Sequence, residues 1–325
     1  MQLKDKIFSV DEGSFEAVAT ELFFYQYENN SIYREYVQAI GCDTGRIKTI
    51  AAIPFLPIRF FKTHAVTTTD FEPEVFFESS GTTTTVNSRH WVKDTGLYTQ
   101  SFMQTFTRFY GPVEQYCVIG LLPSYLERGN SSLVFMVDHL VRASRHPQSG
   151  FYLDDWEALA ATLAGLEAQG QKTLLIGVTY ALLDFARLFP QKLEHTIVME
   201  TGGMKGRRRE LIRAEVHDLL RQGFGVPKVH SEYGMTELLS QAYSKGDGIF
   251  RTPPWMRAVT REEDDPLAVS TKPGKGVLNI IDLANIYSCA FIATDDLGQV
   301  YENSSFEVLG RMDHADVRGC SLLAL

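Results

Sequence analysis

Glu74-Val75-Phe76-Phe77-Glu78-Ser79-Ser80-Gly81-Thr82-Thr83-Thr84-Thr85 is a short β-prone run that breaks into a string of hydroxyls around one glycine. A helical pattern from Lys93 to Tyr110 follows. Strand, loop, helix is the repeating unit of an α/β fold, and the unit recurs downstream. β-rich runs at Tyr116–Leu122, Thr173–Gly177, Thr196–Met199 and Lys228–His230 alternate with amphipathic stretches at Asp154–Gln169, Tyr180–Phe189 and Arg207–Gln222. Period-two runs separated by period-3.6 stretches predict a largely parallel sheet flanked by helices.

Outward from this core the character changes on both sides. Upstream, Phe15, Val18, Leu22, Phe23 and Tyr25 lie at helical spacing between Ser14 and Tyr27, and Tyr33, Tyr36, Val37 and Ile40 make a second apolar set. Downstream of Ser240, Pro, Gly and Asp punctuate short runs at Met256–Thr260, Gly276–Leu283, Cys289–Ala293 and Phe306–Leu309. Those runs predict a small antiparallel, β-rich subdomain.

Composition excludes several classes. A net charge of −9 over 325 residues offers no electrostatic footprint for nucleic acid. No window approaches the ~18 apolar residues of a membrane span, and the first residues carry charges where a signal peptide needs an apolar stretch. Cys42, Cys117, Cys289 and Cys320 are far apart, with no metal-site or disulfide spacing, which fits a reducing cytoplasm.

The loop Ser79–Thr83 offers backbone N–H groups and hydroxyls to the oxygens of a triphosphate. A P-loop is ruled out because no Gly-Lys-Ser/Thr follows. By composition alone the same string is also an ordinary turn. A second constellation, His230-Ser231-Glu232-Tyr233-Gly234-Met235-Thr236-Glu237, follows the predicted strand end at His230. It supplies an aromatic face, a hydroxyl and a carboxylate suited to Mg²⁺, and it also reads as a helix entry capped by Thr236. Glu200-Thr201-Gly202-Gly203-Met204-Lys205-Gly206 permits close backbone approach to a flat ring. Ile292-Ala293-Thr294-Asp295-Asp296-Leu297-Gly298 places carboxylates in a segment that doubles as a turn signal, and Leu309-Gly310-Arg311-Met312-Asp313 follows it.

Taken in order, these segments resemble the signature motifs of the ANL superfamily of acyl-CoA synthetases, adenylation domains and luciferases. The resemblance implies a large N-terminal ANL-type domain with parallel and mixed sheets, while the superfamily's mobile C-terminal domain, with its catalytic lysine, is largely absent. It divides the chain into a helical cap (1–70), an α/β nucleotide-binding core (71–240) and a β-rich subdomain with a cysteine-bearing tail (241–325). It implies that Ser79, Ser80, Gly81, Thr82 and Thr83 hold the ATP phosphates, Gly202 and Gly203 approach the adenine, and Tyr233 and Gly234 flank it. Thr236 then meets the α-phosphate, Glu237 binds Mg²⁺, Asp296 takes the ribose hydroxyls and Arg311 reaches the nucleotide. The superfamily's usual loop lysine is missing, which leaves Arg89 or Lys93 as substitutes, and Lys205 is a candidate near the leaving group.

Two further strings, Leu121-Leu122-Pro123-Ser124-Tyr125-Leu126-Glu127-Arg128-Gly129-Asn130-Ser131-Ser132-Leu133-Val134 and Arg311–Leu323, resemble LuxE-type acyl-protein synthetases. That likeness implies activation of a fatty acid as acyl-AMP, transfer of the acyl group to Cys320, and delivery to an acyl-CoA reductase-like protein partner. Arg318 beside Cys320 favours the thiolate, the attacking form. Two alternatives stay open at this point: an acid–CoA ligase of the phenylacetate type, and a non-catalytic nucleotide-binding subunit. His90 and His230 read equally as bases and as structural histidines, Phe102, Phe106 and Phe109 as a tunnel lining or as simple core.

Overall fold

The computed structural model describes residues 3–79, 86–122, 130–153, 155–202 and 211–312. Five strands form the parallel part of the sheet: β4 (Cys117–Leu121), β5 (Gly150–Phe151), β6 (Thr173–Gly177), β7 (Thr196–Glu200) and β8 (His230–Tyr233), in the order β5-β4-β6-β7-β8. Every residue of β4 and β6 is buried, as expected of strands covered by helices on both faces.

The sheet does not stop at β8. It continues antiparallel through β9 (Ala242–Ser244) and β10 (Ile249–Arg251) to β15 (Phe306–Arg311), β14 (Phe291–Val300), β13 (Gly274–Asp282), β11 (Met256–Arg261) and β12 (Val269–Ser270). The two-residue β1 (Leu56–Pro57) joins β14 in parallel, which makes this a sheet of 13 strands among the described residues. A separate hairpin pairs β2 (Val75–Glu78) with β3 (Arg89–Val92).

Helices follow the apolar periodicity. After α1 (Leu3–Ile7), α2 (Phe15–Asn29) and α3 (Ser31–Ala39) occupy the predicted N-terminal stretches. They are fastened to a loop some 260 residues away: Gln26 Nε2 donates to the Asn285 carbonyl (2.9 Å), Gln26 Oε1 accepts from Ala290 N (3.0 Å), and Asn30 Nδ2 donates to the Ser288 carbonyl (3.0 Å). All three bonds are buried, where an unmade bond is costly, so they fix the orientation of the helical pair. The short α4 (Phe60–Thr63) leads to the hairpin.

Helix α5 (Thr95–Tyr110) starts at Asp94, whose side chain accepts from Gly96 N (2.9 Å), and buries Tyr98, Ser101, Phe102, Thr105 and Phe106 along one face. Phe102 and Phe106 are core residues, each contributing ~2 kcal/mol by burial. Helices α6 (Ser132–Ser144), α7 (Trp156–Ala168), α8 (Thr179–Leu188) and α9 (Arg213–Phe224) complete the layers.

Three local expectations change. The loop after Ser79 returns through a strand, Arg89–Val92, before helix α5 begins; its exposed-buried alternation spans only four residues and is easily absorbed into the following helix. The strand predicted to end at His230 instead begins there and runs to Tyr233, because Ser231 and Glu232 are polar but buried. Thr294–Gly298 is not a turn but the middle of β14, whose pairing with β13 and β15 overrides the local turn preference of Asp-Asp-x-Gly.

Candidate active site

The hydroxyl loop leaves the hairpin between two cross-linked feet. Ser79 N donates to the Ser88 carbonyl (3.0 Å), and Ser88 N donates to Ser79 Oγ (2.9 Å). Ser80, Gly81, Thr82 and Thr83 lie outside the described residues. The Ser88 hydroxyl stands beside the Glu237 carboxyl, and one pleat further His90 Nδ1 meets the Thr236 carbonyl at 2.9 Å. A carbonyl only accepts, so Nδ1 carries the proton. Burial pushes this imidazole down to about 4, so it stays neutral at pH 7. Asn285 Nδ2 donates to the Glu237 carbonyl (2.7 Å), holding the same turn from the other side.

Glu237 is 4 % exposed. Burial raises its pKa, and the Ser88 hydroxyl and the charges of Arg311 and Lys62 pull it part of the way back. Thr236 and Glu237 sit in a turn after β8 rather than at a helix entry. The turn begins at Gly234, where a Cβ would stand 2.4 Å from Glu232 Oε1 and 3.4 Å from Gln241 Cγ, so a larger residue would require the end of the Glu232 side chain to move.

Beside the turn, the Tyr233 hydroxyl donates to Asp296 Oδ2 at 2.9 Å, and Arg311 Nε donates to Asp296 Oδ1 at 3.0 Å. Burial and the adjacent Asp296 together hold the Tyr233 hydroxyl protonated. Asp296 is 5 % exposed while Arg311 is open to solvent, so the carboxylate has one buried and one solvent-facing partner.

Gly202 follows β7 with φ +74°, a left-handed conformation that suits glycine. Its N–H donates to Glu200 Oε2 (2.8 Å), which also accepts from the Thr179 hydroxyl (3.2 Å). Burial drives the Glu200 carboxyl up, but His217, Ser231, Arg213 and the Gly202 N–H outweigh it and hold the group below its ordinary range. Gly203 and Lys205 lie outside the described residues. Because β7 and β8 are parallel neighbours, Gly202 and the Tyr233–Glu237 turn emerge at the carboxyl ends of adjacent strands, the usual ligand edge of such a sheet.

The structure therefore brings Ser79, through Ser88, together with Thr236 and Glu237, and joins Tyr233 to Asp296 and Arg311. Arg89 and Lys93 have partners of their own beside the loop, whose residues Ser80–Thr83 lie outside the described ones. Arg89 Nε pairs with Glu78 at 3.1 Å, and the Lys93 ammonium lies 4.5 Å from the Tyr287 ring centre. Sequence reasoning missed the Glu200 network, Lys62, and Asp282, whose carboxylate accepts from Leu239 N (2.7 Å) and from Ser240 N (2.9 Å) and Oγ (2.6 Å). An acidic residue closing an apolar strand, as in Thr196–Glu200 or Gly274–Asp282, was the available signal. His230 Nδ1 meets the Tyr110 hydroxyl at 3.1 Å. Cys117 and Cys289 are buried in the core, Cys42 is half-buried, and Cys320 lies outside the described residues. Among the described residues no helix is long and apolar enough to cross a membrane.

A mixed sheet of this kind, with the Tyr233–Glu237 turn at the carboxyl ends of its parallel strands, recurs in a solved CoA ligase. A 2-hydroxyisobutyryl-CoA ligase superposes with a TM-score of 0.62 over 95% of this chain and 78% of its own, at 12% identity. MatB from Rhodopseudomonas palustris, solved with ATP bound, gives a TM-score of 0.55 at 18% identity, over 75% of this chain; the match spans about half of MatB, 50%. At the sequence level, the pattern of the acyl-protein synthetase family LuxE matches residues 8–324. The chain belongs to the LuxE acyl-protein synthetases and is a ligase. A long-chain-fatty-acid–luciferin-component ligase of Vibrio harveyi is 24% identical over 323 residues, covering 92% of this chain and 84% of the relative.

Proposed function

We propose that this enzyme activates a fatty acid, long-chain as in the Vibrio relative's name, with ATP to form acyl-AMP and pyrophosphate. The acyl group then passes to Cys320 and on to an acyl-CoA reductase-like partner protein. The observation that supports the reading is the meeting of four separate segments around one turn: the loop feet Ser79 and Ser88 against Glu237, and Tyr233 with Asp296 and Arg311.

In this scheme the loop Ser79–Thr83 grips the β- and γ-phosphates through N–H groups and hydroxyls, and Thr236 orients the α-phosphate. Asp296 accepts from the ribose hydroxyls, and Gly202 and Gly203 leave room for the adenine beside Tyr233. Arg311 and Lys62 bring positive charge toward the crevice. The acid's carboxylate attacks the α-phosphorus and pyrophosphate departs, a step promoted chiefly by positioning and charge compensation.

Mg²⁺ would fit the donor set: Glu237 would hold it together with oxygens of the nucleotide's phosphates, since one carboxylate is enough for such an ion. Among the described residues no group of three or more acidic, His or Cys side chains forms a metal cage, which suits an ion arriving with its nucleotide. Such an ion supplies charge neutralisation on the phosphates.

The Cys320 thiolate then attacks the mixed anhydride, forming a thioester and releasing AMP. The test combines acid-dependent ATP–pyrophosphate exchange with intact-protein mass measurement. Wild type exchanges and gains one acyl mass; Cys320→Ser exchanges but gains none. Loss of both signals in Cys320→Ser, or retention of both, defeats the acyl-carrier role.

A further inference from the structure

A buried histidine on the hairpin takes no part in the scheme above. His90 of β3 is 1 % exposed, its ring lies edge-on to Phe61 with centroids 5.8 Å apart, and its Nδ1–H donates to the Thr236 carbonyl at 2.9 Å. From the loop between β13 and β14, the fully buried Asn285 donates from Nδ2 to the Glu237 carbonyl at 2.7 Å. Asn285 is anchored in turn: its N–H donates to the Asp282 carbonyl (3.0 Å), and its own carbonyl accepts from Gln26 Nε2 (2.9 Å).

The two carbonyls belong to the two peptide units that flank the Glu237 Cα. Each unit is a rigid plane, so holding both sets φ and ψ of Glu237 and with them the direction in which its side chain leaves the backbone. The carboxyl then lies beside the Ser88 hydroxyl, two residues before His90 on the same arm of the hairpin. Ser88 N also donates to Ser79 Oγ, at the foot of the hydroxyl loop. One arm therefore keeps the loop, the Glu237 carboxyl and the Glu237 backbone in a single register.

We infer that His90 and Asn285 are a pair of positioning residues, which aim the Glu237 carboxylate at the phosphates that the hydroxyl loop holds. They act through Glu237, and the inference rests on the adenylation reading for what Glu237 meets. A histidine that only fills space is replaced by any flat ring of its size. A positioning histidine needs an N–H at one point. Asparagine supplies it, because its Nδ2 branches from Cγ as Nδ1 does in histidine, whereas phenylalanine keeps the ring and loses the donor.

The experiment measures ATP–pyrophosphate exchange, and calorimetric binding of ATP with and without Mg²⁺, which needs no chemistry. Urea denaturation of each variant shows that it is folded under assay conditions. His90→Phe should lower kcat for exchange about tenfold or more, with the KM for the acid within about twofold of wild type. It should also shrink the gain in ATP affinity that Mg²⁺ gives wild type. His90→Asn should recover most of both. Added to Glu237→Gln, His90→Phe should cost little more, because residues that act as one unit are not additive. Asn285→Leu removes the donor to the other peptide unit and should show the same pattern, so it carries the test if His90→Phe does not fold.

Full activity in His90→Phe with an unchanged Mg²⁺ gain overturns the inference. So does a loss in His90→Asn as large as that in His90→Phe, or a full additional loss on top of Glu237→Gln. A wild type that binds ATP with a Mg²⁺ gain but exchanges with no acid defeats the adenylation reading; the pairing with Glu237 is then decided by whether His90→Phe loses that gain and His90→Asn keeps it. Absence of ATP binding overturns both.

Discussion

The Tyr233 hydroxyl and Asp296 Oδ2 are 2.9 Å apart across 63 residues of sequence, joining the end of a parallel strand to the middle of an antiparallel one. This bond ties the two halves of the sheet together at the crevice, and Arg311 completes it from the solvent side. Tyr233→Phe leaves Asp296 buried with one partner fewer. The expected cost is ~1–3 kcal/mol in urea denaturation, with a raised KM for ATP. An unchanged midpoint and unchanged KM would show that the bond is incidental.

Asp296→Ala removes the acceptor proposed for the ribose. ATP-dependent exchange should lose about 100-fold in kcat/KM, equivalent to ~2.7 kcal/mol, while the KM for the acid stays within about twofold of wild type. An equal rise in both KM values would point to general disruption of the crevice.

Glu237 is a buried carboxyl whose pKa is raised by burial, so its ionised form carries a folding cost. Glu237→Gln is therefore expected to be neutral or slightly stabilising in thermal denaturation. Exchange activity should nevertheless fall by about 100-fold or more, and excess Mg²⁺ should restore part of it. A variant with full activity removes Glu237 from the reaction.

The pH dependence of stability reports on Glu232. Its native carboxyl holds a proton up to about 8, whereas the ordinary value is 4.5, so the native state binds more protons across that interval and stability falls as pH rises through it. The slope reaches at most ~1.4 kcal/mol per pH unit. His90 and His230 act oppositely and lower down: each is pushed to about 4 from 6.5, so their contribution is lost as pH falls through that range. Asp282, raised to about 6, is also silent above that value. Between pH 6.5 and 8 Glu232 should contribute to the decline beside Glu237, which burial also raises, with Glu200, Tyr98, Tyr110 and Tyr243 as charged or titratable neighbours of Glu232. Glu232→Gln should flatten the urea-derived profile there; an unchanged slope contradicts a neutral Glu232.

Asp282 accepts from Leu239 N, Ser240 N and Oγ, and Ala284 N, holding the chain that follows the Tyr233–Glu237 turn. Asp282→Ala strands four donors and should destabilise by about 3 kcal/mol or more in urea denaturation. Asp282→Asn, which keeps an acceptor oxygen, should recover part of the loss.

Much of this was written locally. The apolar runs Thr173–Gly177 and Thr196–Glu200 and the helical spacing around Phe102 and Phe106 declare their structure through periodicity, which depends only on neighbours in the chain. The motif order from Ser79 to Arg311 likewise carries the resemblance to the ANL superfamily, from which Tyr233, Thr236, Glu237, Asp296 and Arg311 were named. Tertiary contact alone decided that Asp295-Asp296 runs as a strand instead of a turn, because its hydrogen-bonding partners in β13 and β15 lie elsewhere in sequence. It also decided that Arg89 pairs with Glu78 and Lys93 with an aromatic ring. Local pattern specifies which way a side chain leaves its own element. What that side chain meets, and whether water is excluded there, depends on segments the chain brings back from far away.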